Sequence, residues 1–431
     1  MKRWYYLCLV LLPHILNSQS ILTLNETIRV AMEQNYGIQI SVLEQTADAM
    51  EVYKANAGMG PILDWNASFR ATGNNVKQNY LDGRVVKRWG RSINPNTDIS
   101  LGMTLYDGGR MQATYERLGL YGQYSELQGK LIIQSTIVDV MLTYYEIIKH
   151  KKTVSYLNTI IKYYKERLNI TEERWLVGKG SKLDFLQSKT DLNVQLSELA
   201  KAGNNLKNSK VVLNGLLNRH PSLDFDVEES KDIQSNYELS QLENQAINKN
   251  RDILLMQKAM DISYKQEVEI AAARKPQVFL NGSIGYAYSN TNTGFLSSSQ
   301  NFSGGIGVSA NWNLFDGNHR KNQIAIARIN SNIIEKQHES LEFQIHNDLI
   351  YAYNQYLSDK ELLQFEEENK SIAEENLSIS IEKFRLGGSS ILELSEAQRA
   401  YDTALNRLVD SAYNIKISEL NLLRLSGSLV E

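Results

Sequence analysis

The sequence has little of what catalytic and metal sites are usually built from. Its 431 residues include one cysteine, Cys8, and six histidines that show no metal-ligand spacing. A disulfide within the chain is therefore excluded, and a zinc site is not indicated. Neither a nucleophile elbow nor a glycine-rich dinucleotide motif is present. We predict no cofactor, no metal site and no enzymatic activity.

A strong charge of either sign is also missing. Lys and Arg number 46, Asp and Glu number 49, and the formal net charge is −3. No basic stripe of the kind that binds nucleic acid occurs, so nucleic acid is not an expected partner. Beyond Ser20 no uncharged apolar run is long enough to cross a bilayer as a helix, and we predict no transmembrane helix. Membrane spanning by strands stays open, because each strand gives a much weaker sequence signal.

The segment 1–20 has the pattern of a secretory signal peptide. Lys2 and Arg3 precede an apolar core at 4–12, and the small residues Ser18 and Ser20 follow. This pattern predicts export, with cleavage near 18–20. The single cysteine lies inside the apolar core without the small residues that precede a lipoprotein cysteine, so we expect an unlipidated mature chain. The alternative interpretation is a buried N-terminal helix.

The rest of the chain repeats one pattern twice. LYDGGR from Leu105 returns as LFDGNHR from Leu314, 209 residues later, and residues 173–187 align with 382–396 at the same offset. Landmarks that recur in the same order indicate duplication. The predicted division is a signal peptide 1–20, a first repeat 21–220, a connection 221–238, a second repeat 239–427 and a C-terminal tail 428–431.

Each repeat is predicted to contain a helix, a β-hairpin, a long helix, a tight turn and a shorter helix. Pro61 and Pro276 end the first helix, since proline has no N–H and clashes with the preceding turn. Alternating apolar and polar residues follow, for about the 9–11 residues with which a tilted strand crosses a bilayer. The predicted segments are helix 24–58, hairpin 61–106, helix 108–176, tip 177–180 and helix 181–219, then helix 239–274, hairpin 276–315, helix 317–386, tip 387–388 and helix 389–427.

We interpret the two hairpins as membrane strands joined by polar loops at 73–96 and 289–304. The alternative is a soluble sandwich, whose strands also alternate. A lone two-stranded hairpin between long helices would, however, be marginal in water. The repeated motif marks the passage from strand to helix, where an aspartate side chain caps the free N–H groups of the helix. The residues at these two junctions are Asp107, Gly108, Asp316 and Gly317.

In the order of its motifs the sequence resembles the TolC-like outer-membrane efflux proteins. The signal peptide, two repeats, P-x-x-x-x-N-x-S strands, [YF]-D-G before a long helix and a [VL]-G turn carry the resemblance. It implies a mainly α fold with transmembrane β, in which a homotrimer forms a 12-stranded β-barrel, four strands per protomer, continued by a long periplasmic α-helical coiled-coil barrel. Independently, four strands cannot close a barrel, and open edges are not tolerated in lipid, so oligomerisation is expected.

The resemblance implies a function and partners as well. The protein would be the outer-membrane exit channel of a tripartite efflux pump or secretion system. It would conduct substrates passively, together with a periplasmic membrane-fusion adaptor protein and an inner-membrane transporter. The alternative function is a non-conducting periplasmic coiled-coil scaffold or adaptor, which would need the alternating runs to be soluble strands.

Individual residues take roles from the same resemblance. The turns at Val177, Gly178, Leu386 and Gly387 would contact the adaptor, although locally the glycines are explained as helix C-caps.

Two acids near the second turn, Glu393 and Glu396, are spaced i and i+3 on one helix face. By resemblance they would line the closed periplasmic entrance, together with Asp184 of the first repeat. Three copies would bring six of these carboxylates from the second repeat together, and their repulsion would raise some pKa values and favour cations. The alternative is an ordinary solvated face. A family arginine near this turn is replaced by Ser389, which leaves open whether an ionic latch holds the entrance shut.

Overall fold

A computed structural model describes residues 21–229, 236–293 and 296–429. The predicted signal peptide, residues 230–235 of the connection and residues 430–431 of the tail lie outside the described residues. The elements, in chain order, are β1 (Ile21–Leu22), α1 (Leu24–Gln34), α2 (Tyr36–Glu51), β2 (Ile62–Asn79), β3 (Val85–Tyr106), α3 (Arg110–Leu176), α4 (Lys182–Leu216), β4 (Asp226–Val227), α5 (Leu239–Lys249), α6 (Arg251–Ala272), β5 (Gln277–Thr291), β6 (Ser298–Asn311), α7 (His319–Arg385) and α8 (Ile391–Ser426).

The chain divides into two compact units, and each takes segments from both repeats. The first, which we call the helical unit, comprises, among the described residues, 21–41, 129–229, 236–251 and 343–429. The second, which we call the sheet unit, comprises Val42–Gln128 and Asp252–Glu342. The two halves of the sequence are therefore interleaved in the fold.

The sheet unit is built on one four-stranded antiparallel sheet in the order β2-β3-β5-β6. Residues that pair across neighbouring strands share a face, so the register divides the side chains into two sets. One face is apolar and is exposed in the single chain; Trp65 is 73% and Ile306 76% accessible. The exposed large apolar residues of this face include Leu63, Trp65, Phe69, Ile93, Ile99, Ile284, Tyr286, Phe302, Ile306 and Val308.

Both hairpins have longer strands than the sequence pattern predicts. Strands β2 and β3 pair from Ile62 opposite Gly102 to Asn79 opposite Val85, so the expected loop 73–96 is a turn at 80–84. The expected loop 289–304 is likewise mostly strand, because β5 ends at Thr291 and β6 begins at Ser298. The strands extend beyond the alternating apolar pattern because the hydrogen bonds between strands join backbone groups, and polar residues have the same backbone groups as apolar ones.

The helices that open each repeat are divided, contrary to the continuous segments 24–58 and 239–274 expected from the sequence. The first also ends at Glu51, ten residues before Pro61, so this proline starts the strand and does not end the helix. Both breaks fall at an asparagine with extended backbone, Asn35 and Asn250. The Asn35 Oδ1 accepts from the Gly37 N–H at 2.8 Å, while its Nδ2 donates to the Leu216 carbonyl at 2.9 Å. Asn250 Nδ2 donates to the Leu425 carbonyl at 2.9 Å. An asparagine side chain that bonds backbone groups competes with the helix, and here it replaces the helical bonds.

The helical unit has two apolar cores. One surrounds the parallel β1–β4 pair, where the Tyr144 hydroxyl donates to the Leu22 carbonyl at 2.9 Å. The other joins α3, α4, α7 and α8; its buried members are Ile160, Ile161, Tyr164, Leu192, Leu377, Ile381, Phe384, Leu394, Ala397, Tyr401 and Leu405.

Helix α3 contains the one stretch, among the described residues, that is long and apolar enough to cross a membrane by length and composition alone. The sequence prediction required an uncharged run, whereas a stretch with a few charged residues also qualifies by composition. Of this stretch, 39% is buried within the protein. Because α3 supplies Val140, Tyr144 and Ile147 to the first core, part of its apolar character is explained by the fold.

Candidate functional site

Each hairpin passes into its long helix through an Asp-Gly pair. Asp107 is buried, and its Oδ2 accepts from the Met111 N–H at 2.9 Å. Gly108 has φ +80°, and a Cβ there would lie 2.6 Å from the Ala272 carbonyl oxygen. Only glycine fits both the backbone conformation and the space.

The second junction follows the same plan. Asp316 Oδ2 accepts from the Arg320 N–H at 3.1 Å and from its Nε at 2.6 Å. The bond from the Arg320 side chain lowers the pKa of Asp316. Gly317 has φ +68°. Pro61 and Pro276 stand immediately before β2 and β5, at the same end of the hairpins as these aspartates. Strands β2 and β5 therefore begin directly after a proline, and each long helix begins on an aspartate cap.

The two turns between paired helices are built alike. Gly178 has φ +70° and Gly387 has φ +84°. Both values lie in the left-handed region that ends a helix. Lys179 N–H donates to the Arg174 carbonyl and Gly388 N–H to the Lys383 carbonyl, both at 2.8 Å. The next helix then starts on a serine cap: the Ser181 hydroxyl accepts from Leu183 N–H and the Ser390 hydroxyl from Glu393 N–H.

These turns present apolar side chains to the outside of the single chain. Val177 is 67% and Leu386 85% exposed. Beside them the Arg174 guanidinium lies 4.4 Å from the centre of the Phe384 ring and donates to the Phe384 carbonyl, which joins the end of α3 to the end of α7. The turns thus combine a contact between the ends of α3 and α7 with exposed apolar side chains at Val177 and Leu386.

Of the predicted entrance acids, Asp184 lies in the first turn of α4 and Glu393 in the first turn of α8, while Glu396 lies in the second turn of α8. Glu393 and Glu396 share an exposed face of α8, while the residues between and beside them, Leu394 and Ala397, are buried. Asp184 occupies the first turn of α4 and is partly exposed. The carboxylate of Glu396 is only loosely paired, at 3.9 Å from Arg399 Nη1. Acids on the exposed faces of these two helices can therefore meet solvent or another molecule.

A buried arginine that sequence reasoning missed lies on α3 beneath the α8 acids. Arg167 is 1% exposed, and its Nη1 donates to Ser395 Oγ at 2.7 Å and to Gln398 Oε1 at 2.8 Å on α8. Its Nη2 makes an ion pair with Asp191 on α4, and its guanidinium lies 5.3 Å from the centre of the Tyr164 ring. One side chain therefore joins three helices. The sequence signal that could have revealed Arg167 is its position on α3: the helical period places this charged residue on the same buried face as Tyr164 and Thr171.

The same cluster contains a partly buried acid. Burial raises the pKa of the Asp402 carboxyl, although it accepts hydrogen bonds from Gln195 and Asn406. Burial also raises the pKa of the Tyr164 hydroxyl. Across the described ranges 21–229, 236–293 and 296–429, no group of three metal-ligating side chains occurs.

Comparison with known proteins identifies the family to which this chain belongs. A family model described as outer membrane efflux protein matches residues 27–219 and 242–428. The chain belongs to this family. The resemblance inferred from the motif order is thereby confirmed, and the two matched segments correspond to the two repeats. A search of curated proteins finds no match.

Solved structures of outer-membrane channels share the fold of this efflux protein. The outer-membrane channel OprN aligns with a TM-score of 0.79 at 16% identity, covering 94% of this chain and 90% of that chain. CmeC of Campylobacter jejuni gives 0.77 at 16%, covering 95% and 86%. VceC of Vibrio cholerae gives 0.76 at 17%, covering 94% and 96%. The predicted fold class is confirmed, and the protein is an outer-membrane efflux family member with a long periplasmic helical portion.

Proposed function

We propose that three copies of this chain close one barrel, through which solutes pass passively from the periplasm to the exterior. The observation that carries this proposal is the sheet, in which β2 and β6 pair on one side only and one face is apolar and exposed. In lipid every backbone polar group needs a partner, so both edges must join other copies. Three such sheets would give 12 strands, and the fold likeness to known channels supports this assembly.

The work of transport would be supplied by an inner-membrane transporter, joined through a periplasmic adaptor protein. Val177 and Leu386 are exposed at the two turns. Their exposure supports docking of the adaptor there, because burial of apolar side chains in an interface is favourable. The matching geometry of the turns in both repeats supports two equivalent contacts per chain.

The periplasmic entrance would be lined by Glu393 and Glu396, with Asp184 nearby. The Arg167 cluster would hold α8 against α3 and α4 while the entrance is closed, in place of the family arginine missing at Ser389. Opening would then separate Arg167 from Ser395 and Gln398. The exposure of the acids and the burial of the arginine support this division of roles.

Electrophoresis and planar-bilayer recording of the purified mature protein test the proposal together. We expect an unheated sample to migrate as a trimer that becomes a monomer on boiling, and the same sample to form ion-conducting channels. Recovery of a water-soluble monomer without detergent would contradict it, because the apolar sheet face would then have no lipid to contact.

A further inference from the structure

The turn end of the first hairpin carries an excess of positive charge. Residues 73–93 contain five cations and one acid, Asp82, whose carboxylate pairs with Arg84 at 2.7 Å inside the turn. Within the described part of the chain, no carboxylate forms a salt bridge with the other four cations, which are Lys77, Lys87, Arg88 and Arg91. Strands β5 and β6 have no charged residue at all, so the neighbouring hairpin does not neutralise this end.

The strand register assigns three of these cations to the apolar face. Lys77 stands directly opposite Lys87, and Arg91 stands opposite Gly73. Counting in steps of two, both pairs share the face of Ile93 and the other apolar residues. Arg88 lies on the opposite face. All three face-sharing cations are exposed in the chain.

A tryptophan lies between the cations on the same face. Trp89 is 67% exposed, and its ring covers Gly73, where a Cβ would lie 3.1 Å from Trp89 Cζ2. Along the face the order is therefore apolar residues, Arg91, Trp89, then Lys87. In membrane β-barrels, aromatic residues mark the interface between the apolar band and water, so Trp89 marks this interface here. Arg91 and Lys87 lie on either side of Trp89, about 13 Å apart along the strand. The cations thus lie at and just beyond the expected edge of the apolar band.

The facing lysines imply an anion. Like charges placed directly opposite on a strand pair are destabilising, and no carboxylate of the described chain relieves them. An arginine can hold a phosphate through two parallel N–H bonds, and a lysine attracts it as a point charge. Phosphate groups of lipid headgroups lie at this depth of a bilayer, whereas the one carboxylate at this end of the described hairpin, that of Asp82, is paired with Arg84.

We propose that Lys77, Lys87 and Arg91 bind the phosphate groups of anionic lipid headgroups in the outer leaflet, with Trp89 contacting the same lipid at the interface. This inference rests on the proposed function, because it requires the apolar sheet face to meet lipid. The long helices leave from the opposite end of the strands, at Asp107, so the cationic end is the exterior one. Arg88, on the other face, takes no part.

Binding of a defined lipid to the purified trimer tests this directly. The probe is bis-phosphorylated lipid A, compared with the same lipid after removal of both phosphates, and bound copies are counted by native mass spectrometry. We expect the wild-type trimer to prefer the phosphorylated lipid at least about tenfold, as three added cation–headgroup attractions predict. The triple variant Lys77→Gln, Lys87→Gln, Arg91→Gln should lose the preference, and Arg88→Gln, a single charge change on the other face of the same strand, should keep it.

The outcomes separate this inference from the channel proposal. Conducting wild-type trimers without a phosphate preference would overturn the lipid site and leave the channel intact. An unchanged preference in the triple variant, or an equal loss in Arg88→Gln, would overturn it as well. Heat-modifiable migration of each variant shows that the barrel has assembled. A wild-type protein that forms neither trimers nor channels would refute the proposed function, and the lipid site with it.

Discussion

A guanidinium as completely buried as that of Arg167 needs a partner for each of its donors. Nη1 and Nη2 have them on α8 and α4, whereas Nε has no hydrogen-bond partner among the described residues. Burying a charge is costly unless it is paired, and within the described ranges Asp191 is the acid that pairs with it. An arginine retained under these conditions is better explained by what it joins than by a gain in stability.

Replacing Arg167 with Met should therefore loosen α8. Two hydrogen bonds from a charged donor would be lost, which lowers the free energy of separating α8 from α3 by about 3 kcal/mol. We expect more frequent and longer openings in planar-bilayer recordings. Lys165→Met removes a charge from an exposed position two residues away on the same helix and should leave the recordings unchanged. Identical gating in Arg167→Met and wild type would show that the cluster is not a latch.

At the scale of elements, the tight turns at the two helix ends depend on single glycines. A Cβ at Gly178 would meet no atom within 4 Å, so the cost of a side chain there is conformational and not steric. Gly203 also has open space around it, but it lies inside α4, where the backbone is helical. The same substitution can therefore be compared in two backbone conformations.

We expect Gly178→Ala to destabilise the helical unit by about 1–2 kcal/mol, the cost of a left-handed non-glycine residue. Gly203→Ala should stabilise it by about 1 kcal/mol, since alanine favours a helix interior. Thermal unfolding followed by circular dichroism measures both. Shifts of the same sign would contradict the assigned backbone at position 178.

Periodicity and repeat offsets predicted the order of the elements and the ends of the long helices within a few residues, because helix and strand differ in period. They did not predict the breaks at Asn35 and Asn250, where each side chain bonds a carbonyl far away in the sequence. The length of β2 and β3 was also underestimated, since a backbone ladder leaves no apolar pattern. Arg167 was missed because its partners Asp191 and Ser395 come from two other helices.

At the scale of the whole molecule, the proposed role of Glu393 and Glu396 at the entrance would require several copies to assemble. One chain offers Glu393 and Glu396 on an exposed face, whereas three would gather six carboxylates around an axis. We expect Glu393→Ala with Glu396→Ala to reduce cation selectivity in planar bilayers, because the concentrated negative charge is removed. Glu172→Ala with Glu173→Ala removes equal charge from an exposed part of α3 and should retain selectivity. Unchanged conductance, selectivity and opening in the first variant would mean that the acids do not gate.

The Arg167 cluster occurs in only one repeat. At the offset of 209 residues the second repeat has Asn376 in place of Arg167 and Ala400 in place of Asp191. The contact between α3 and α8 within one chain therefore includes a charged side chain, Arg167, which the equivalent contact of the second repeat lacks. In a ring of three chains, the helices would meet at two alternating kinds of interface. The interfaces without the arginine cluster, between neighbouring chains, would separate first. Dilation would then proceed with threefold rather than sixfold symmetry.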